Sequence, residues 1–205
     1  MSLAHEIAAA AATATGLPAA QCWHVLRSVR EAGHWPTYTR KKSEQVVTDL
    51  ELANYTAALM SGLPAGHAAL AVERLAEARL SEADHRHAMQ APERFETYHP
   101  ATVAFLEPRH SFLEGLAALF AVARGGPQAF EAHFKDSWVS VDPHRFSGRI
   151  VLTCEDFTPM PVRHLDFDLE YAPTEELFRG DLEVMAVLPA STIATLARTA
   201  DRVTR

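Results

Sequence analysis

Gln21, His24 and Ser28 stand at i, i+3 and i+7, so a helix through them carries three hydrogen-bonding side chains on one face, with Arg27 and Arg30 flanking. Glutamine can pair with an adenine edge, and arginine can pair with guanine or hold a phosphate. Cys22, Val25, Leu26 and Val29 follow i, i+3, i+4 and i+7 on the other side, which predicts a buried face opposite an exposed one. A helix buried on one side and polar on the other suits entry into a major groove. Just beyond it runs Thr37-Tyr38-Thr39-Arg40-Lys41-Lys42-Ser43, three consecutive cations among hydroxyl side chains, the chemistry that lies along phosphates. The pattern predicts an interface for double-stranded DNA made of Gln21, His24, Arg27, Ser28, Arg30, Tyr38, Arg40, Lys41 and Lys42. Val25, Leu26 and Val29 should be buried, and Gln21, His24, Arg27 and Ser28 exposed. A plainer reading competes with this. Two alanine-rich helices joined by Gly-Leu-Pro occur in many helical bundles, and a short basic run is usually a solvated loop.

Charge distribution favours the interface. The whole chain carries a formal −7, which argues against nucleic acid. Residues 1–45 hold five cations (Arg27, Arg30, Arg40, Lys41, Lys42) against Glu6, Glu31 and Glu44, a net of +2 that leaves −9 on the remainder. A basic head on an acidic body fits a protein that touches DNA with one end only.

Other chemistry finds less support. Asp84-His85-Arg86-His87 is the densest histidine cluster, but His85 and His87 would not share a helix face and have no partner pair at ligand spacing. No metal or other cofactor is expected. Gly-x-Ser-x-Gly, His-Glu-x-x-His and a phosphate-cradling glycine loop are all absent from the sequence. Asp166, Asp168 and Glu170 alternate along one strand face, and paired carboxylates can bind a divalent ion or move protons. An exposed strand face is the simpler account, so the chain is expected not to be an enzyme; an active site in the C-terminal region is the weaker alternative. Trp35 and Tyr38 can stack on single-stranded bases, but their context favours core packing for Trp35 and a backbone contact for Tyr38. Cys22 and Cys154 read as small core residues of a reduced compartment.

Several elements must position the candidate residues. Leu3 to Thr15 reads as a helix ended by Gly16, and Leu17-Pro18 opens a second helix that runs to Ala32, with Gly33 past its end and Pro36 barring continuation. Thr48 or Asp49 caps a helix through Met60, and Ala65 to Leu80 follows as another. Residues 81–108 read as a connector with a strand at Ala101 to Leu106. Ser111 and Glu114 form a capping box on a helix from His110 to Arg124, which Gly125-Gly126 stops. Strand patterns follow at Trp138–Val141, Arg149–Cys154, Val162–Tyr171 and Asp181–Leu188, then a helix over Ser191–Val203. The predicted fold is α+β: an N-terminal helix-turn-helix and helical region, then a C-terminal antiparallel sheet of three or four strands with packed helices. Three segments are predicted: a helix-turn-helix module over 1–45, a helical pair with connector over 46–108, and an α+β domain over 109–205.

The Glu31-Ala32-Gly33 exit followed by a basic loop resembles winged-helix and related DNA-binding proteins, in which that loop lies on the phosphate backbone. Leu17 through Leu59 also resembles the opening of prophage-type proteins of alphaproteobacteria. Those run as a Gly-Leu-Pro turn, a helix ending Arg-x-x-Arg-Glu-Ala-Gly, a basic loop and a Thr-x-x-(Asp/Glu)-x-Ala helix. This chain carries Arg27-Ser28-Val29-Arg30-Glu31-Ala32-Gly33, while Leu50 to Ala53 match loosely. The resemblance covers about a quarter of the chain and implies a phage or mobile-element origin. The predicted order of N-terminal helix-turn-helix, helical middle and C-terminal β region also resembles, as an analogy of architecture, the layout of small terminase subunits.

These observations lead to two expectations. The first is a DNA-binding protein of the bacterial host cytoplasm, serving genome packaging or transcriptional regulation. It would act as a homo-oligomer because one small head binds weakly, and the acidic C-terminal region would recruit any protein partner. The second is an interaction protein whose basic helical head docks on an acidic partner. No apolar run reaches the roughly 18 residues that crossing a membrane requires, so a membrane role is not expected.

Overall fold

Alanine-rich composition and well-placed caps set the helices. The computed structural model describes residues 3–36, 46–82, 84, 107, 109–134, 136–154, 165–173 and 186–204. Helix α1 spans Leu3–Thr15 and α2 spans Ala19–Glu31. Pro18 stands before α2 as its N-cap, and Gly33, at φ +85°, takes the left-handed position after it. Helix α3, Asp49–Met60, opens with a capping box: the Glu51 N–H donates to the Thr48 hydroxyl, and the Thr48 N–H donates to the Glu51 carboxylate. A short 3₁₀ turn, Ala65–His67, leads into α4, Ala68–Glu77. Helix α5, Phe112–Gly125, carries the predicted capping box between Ser111 and Glu114. Pro127 opens α6, Pro127–His133, an element the sequence reading leaves unassigned, and α7 spans Ala190–Thr204.

Five strands form one antiparallel sheet: β1 Arg79–Leu80, β2 Trp138–Asp142, β3 Ser147–Cys154, β4 Leu165–Ala172 and β5 Ala186–Pro189. Their order is β1-β4-β3-β2-β5. The α+β expectation holds, with four strands from the C-terminal half and a fifth from outside it. Arg79 and Leu80 fall inside a predicted helix but pair with Ala172 and Tyr171. The cause is tertiary. Arg79 and Leu80 lie between β4, where the next N–H, that of Ser81, donates to the Glu170 carbonyl, and the chain entering α5, where the Leu80 N–H donates to the His110 carbonyl and the Phe112 N–H to the Ala78 carbonyl. Neighbours on both sides thus hold extended a dipeptide with helical propensity. On β4 the expected alternation holds where side chains are described: Leu169 and Tyr171 are buried, Asp168 and Glu170 exposed. The predicted strand at 101–106 and the Cys154 side chain lie outside the described residues.

Helix α5 is central. It packs on α3, α4, α6, α7 and β3, and α1 packs on both α2 and α7. All three predicted segments contribute to one hydrophobic core that runs from Leu3 and Ile7 through Leu52, Leu75, Leu116 and Ile150 to Ala200. Each such Leu or Ile, fully buried, contributes about 1.5–3 kcal/mol. Two glycines allow the closest approaches. A Cβ on Gly115 would stand 2.6 Å from the Tyr171 Oη, and one on Gly148 would enter the Phe112 ring. Among the described residues no helix is long and apolar enough to cross a membrane.

Candidate nucleic-acid interface

The turn between α1 and α2 is built by backbone conformation and one hydroxyl. Gly16 takes φ +72°, which a residue with a Cβ adopts only under strain, and its N–H donates to the Ala12 carbonyl. The Thr15 hydroxyl donates to the Ala11 carbonyl at 2.7 Å and accepts the Leu17 N–H at 3.3 Å. Cys22, Val25, Leu26 and Val29 then face the core, as their spacing predicts. The Tyr55 hydroxyl donates to the Cys22 carbonyl at 3.0 Å and ties the middle of α2 to α3. Burial pushes the Cys22 thiol up, so it stays protonated, and the thiol fills core space.

On the outward side Gln21, His24 and Arg27 are exposed. Ser28 is half-buried where exposure is predicted, because it sits next to the buried Val29 on the flank of the apolar stripe. Arg30 is also half-buried. Its guanidinium lies over the Trp23 ring, 5.9 Å from the centroid, and His5 stacks on the same ring at 3.9 Å. Arg27 meets Glu31 one turn later, Nε to Oε1 at 2.7 Å, and this bond holds the Glu31 carboxyl below the usual range. Both partners are exposed, so the pair is worth little and leaves the guanidinium open to another partner.

The chain leaving α2 is pinned to the core. Trp35 is buried and meets Tyr55 edge to face at 5.9 Å, and the Asn54 amide donates to the His34 carbonyl. Val47, where the described chain resumes its burial, is fully enclosed, and its carbonyl accepts from Arg124 Nη2 at 2.5 Å. The basic segment therefore connects buried Trp35, which follows the C-terminus of α2, to buried Val47. Tyr38, Arg40, Lys41 and Lys42 themselves lie outside the described residues, as do His85 and His87.

The acidic strand face resolves differently from a paired-carboxylate site. Asp168 takes a bidentate bond from Arg149, with Nε to Oδ1 at 2.5 Å, and the Arg149 guanidinium lies 5.7 Å over the Trp138 ring. The strand neighbour thus neutralises the carboxylate. The Asp166 side chain is outside the described set.

Sequence reasoning misses two features. One is a buried bond between His110 and Tyr171, 61 residues apart. The other is a cavity of about 390 Å³ beneath the α1–α2 turn, which Gln21 borders. Each is assembled from elements far apart in sequence, so no local pattern announces it. Comparison with protein-family models, with curated proteins and with solved structures returned no match.

Proposed function

We propose that this protein binds duplex DNA through the outward face of α2. The observation that carries the reading is the division of one short helix after a tight turn. Cys22, Val25, Leu26 and Val29 are sealed in the core, while Gln21, His24 and Arg27 stand exposed to solvent. The positive charge of Arg40, Lys41 and Lys42, in the segment that follows this helix in the sequence, supports the same reading. In this reading Gln21 and Arg27 read base edges, His24 and Ser28 support them, and Arg30, Tyr38 and the three cations hold the backbone. A homo-oligomer brings several heads to one duplex, and the role is genome packaging or transcriptional regulation in a phage or prophage setting.

The test is titration of the full chain with duplex DNA at low and at physiological salt. Binding that weakens steeply with salt supports the proposal, and no binding at low salt removes it. A second reading, a head that docks on an acidic protein, is favoured by one observation. Val46 and Leu50, which follow the basic segment, are large apolar residues with 53% and 47% of their surface exposed. Salt-sensitive capture of an acidic protein by a chain that ignores DNA would support it.

A further inference from the structure

Glu31 sits on the outward side of α2, opposite the buried stripe of Cys22, Val25, Leu26 and Val29. It is an i+7 step from His24 and an i+4 step from Arg27, so all three share one face. The Arg27 Nε–H donates to Glu31 Oε1 at 2.7 Å, and both side chains are exposed. Helix stability gives little reason for the pair. A base four residues before an acid is the less favourable order on a helix. Glu31 is also the last residue of α2, where the helix dipole disfavours a carboxylate.

The geometry offers a different reason. The bond occupies only Nε of Arg27, and among the described residues Nη1 and Nη2 have no partner. Those two nitrogens are the end-on fork that pairs with O6 and N7 of guanine. An acceptor on Nε blocks the side-on approach and fixes the plane of the guanidinium. The pair is also neutral as a whole, since Arg27 holds the Glu31 carboxyl ionised. Phosphate is recognised chiefly by charge, and a neutral pair attracts it weakly. A guanine edge is uncharged and is recognised by the match of two donors to two acceptors, which the pair leaves intact.

We propose that Glu31 is a positioning residue that makes Arg27 a reader of guanine: it takes Nε, presents Nη1 and Nη2 to O6 and N7, and withholds the arginine from the phosphates. The preferred duplex then carries a guanine opposite Arg27. This role rests on the reading of α2 as a duplex-binding helix.

The test begins with a pool of random-sequence duplexes, from which the full wild-type chain selects its preferred site at low salt. Anisotropy titrations then compare that duplex, the same duplex with its base pairs exchanged one at a time, and a random duplex. One guanine should be preferred over the other bases by about 5–150-fold, the worth of one bidentate pair, and Arg27→Ala should remove that preference. Glu31→Ala releases the guanidinium, and the preference at that guanine should fall severalfold. Glu31→Gln keeps an oxygen that accepts from Nε, and should retain it. Both Glu31 variants free a positive charge and should bind the random duplex severalfold tighter. The positions are exposed, and thermal melts show that each variant folds. A guanine preference that survives Glu31→Ala or Arg27→Ala, one lost equally in Glu31→Gln, or random-duplex affinity unmoved by both Glu31 variants would overturn the proposal while DNA binding stands. A wild-type chain that binds no duplex at low salt would remove the DNA reading and this role together.

Discussion

The Tyr171 hydroxyl donates to His110 Nε2 at 2.7 Å, inside the protein, while His110 Nδ1 bonds the Glu107 carbonyl at 2.8 Å. A carbonyl can only accept, so Nδ1 carries the proton, and in the neutral ring Nε2 takes the tyrosine's. The bond fixes the chain entering α5 against β4. Gly115 makes room for it, since any Cβ there would collide with the tyrosine oxygen. Tyr171→Phe keeps the ring and removes the bond, and should lower unfolding free energy by about 1–3 kcal/mol, measured by denaturant titration. An unchanged midpoint would show that the bond contributes nothing net.

Alkaline pH should destabilise the protein through two tyrosines, in addition to the buried Cys22 thiol, which burial also raises. Burial is the main cause that raises Tyr171 well above its ordinary value, and burial raises Tyr55 likewise, with the charge of the neighbouring Cys22 side chain and then a hydrogen bond to that side chain adding to it. Each tyrosine therefore keeps its proton in the folded chain at pH values where the unfolded chain has shed it. Their contribution is fully present below about pH 10 and is lost as pH rises towards the folded values. Stability should fall by about 1.4 kcal/mol per pH unit for each tyrosine. Unfolding midpoints followed from pH 9 to about 11.5 should show the slope, and Tyr171→Phe should reduce it by one tyrosine's share.

Glycine substitutions separate close packing from turn conformation. Gly148→Ala drives a methyl into Phe112, and Gly115→Ala drives one into Tyr171. Each should cost about 1–3 kcal/mol by overpacking, with Gly148 the worse because three atoms of the Phe112 ring would lie within 2.6 Å of the new methyl, whereas at Gly115 only the terminal Tyr171 oxygen comes that near. Gly16→Ala meets nothing within 4 Å but must adopt φ +72°. Its cost should be about 1 kcal/mol, purely conformational. Melting curves that rank Gly16→Ala as the most damaging of the three would contradict the packing account.

If α2 meets DNA as proposed, two sets of variants should behave differently. Neutralising Arg40, Lys41 and Lys42 together should weaken specific and random duplexes by a similar factor. It should also reduce the slope of log affinity against log salt by about 0.9 for each phosphate left without its cation. Gln21→Ala or Arg27→Ala should instead cost more on a preferred site than on random DNA, by about 1–3 kcal/mol where the side chain had bonded a base in bidentate fashion. Fluorescence anisotropy with both duplexes measures each effect. Affinity and slope that survive the triple neutralisation would favour the acidic-partner reading.

Much of this protein is written in local sequence because the relevant physics is local. Gly16, Pro18 and Gly33 bound α1 and α2, the Thr48-Glu51 and Ser111-Glu114 pairs start α3 and α5, and the Leu169–Tyr171 alternation marks the buried face of β4. Caps, φ requirements and hydrophobic period act over a few residues, so the sequence by itself determined the starts of α1, α2, α3 and α5, the α+β class and which face of α2 is buried. Packing between distant segments decided the rest. Arg79 and Leu80 became strand because β4 and the chain entering α5 lay on either side of them, and β3–β4 register set Arg149 opposite Glu170 and diagonal to Asp168, with which it forms an ion pair. The His110–Tyr171 bond exists only once α5 and β4 have met, and the cavity beneath the α1–α2 turn only once α1, α3, β5 and α7 have. No side chain carries a record of partners so far along the chain, and only packing of the whole core selects them.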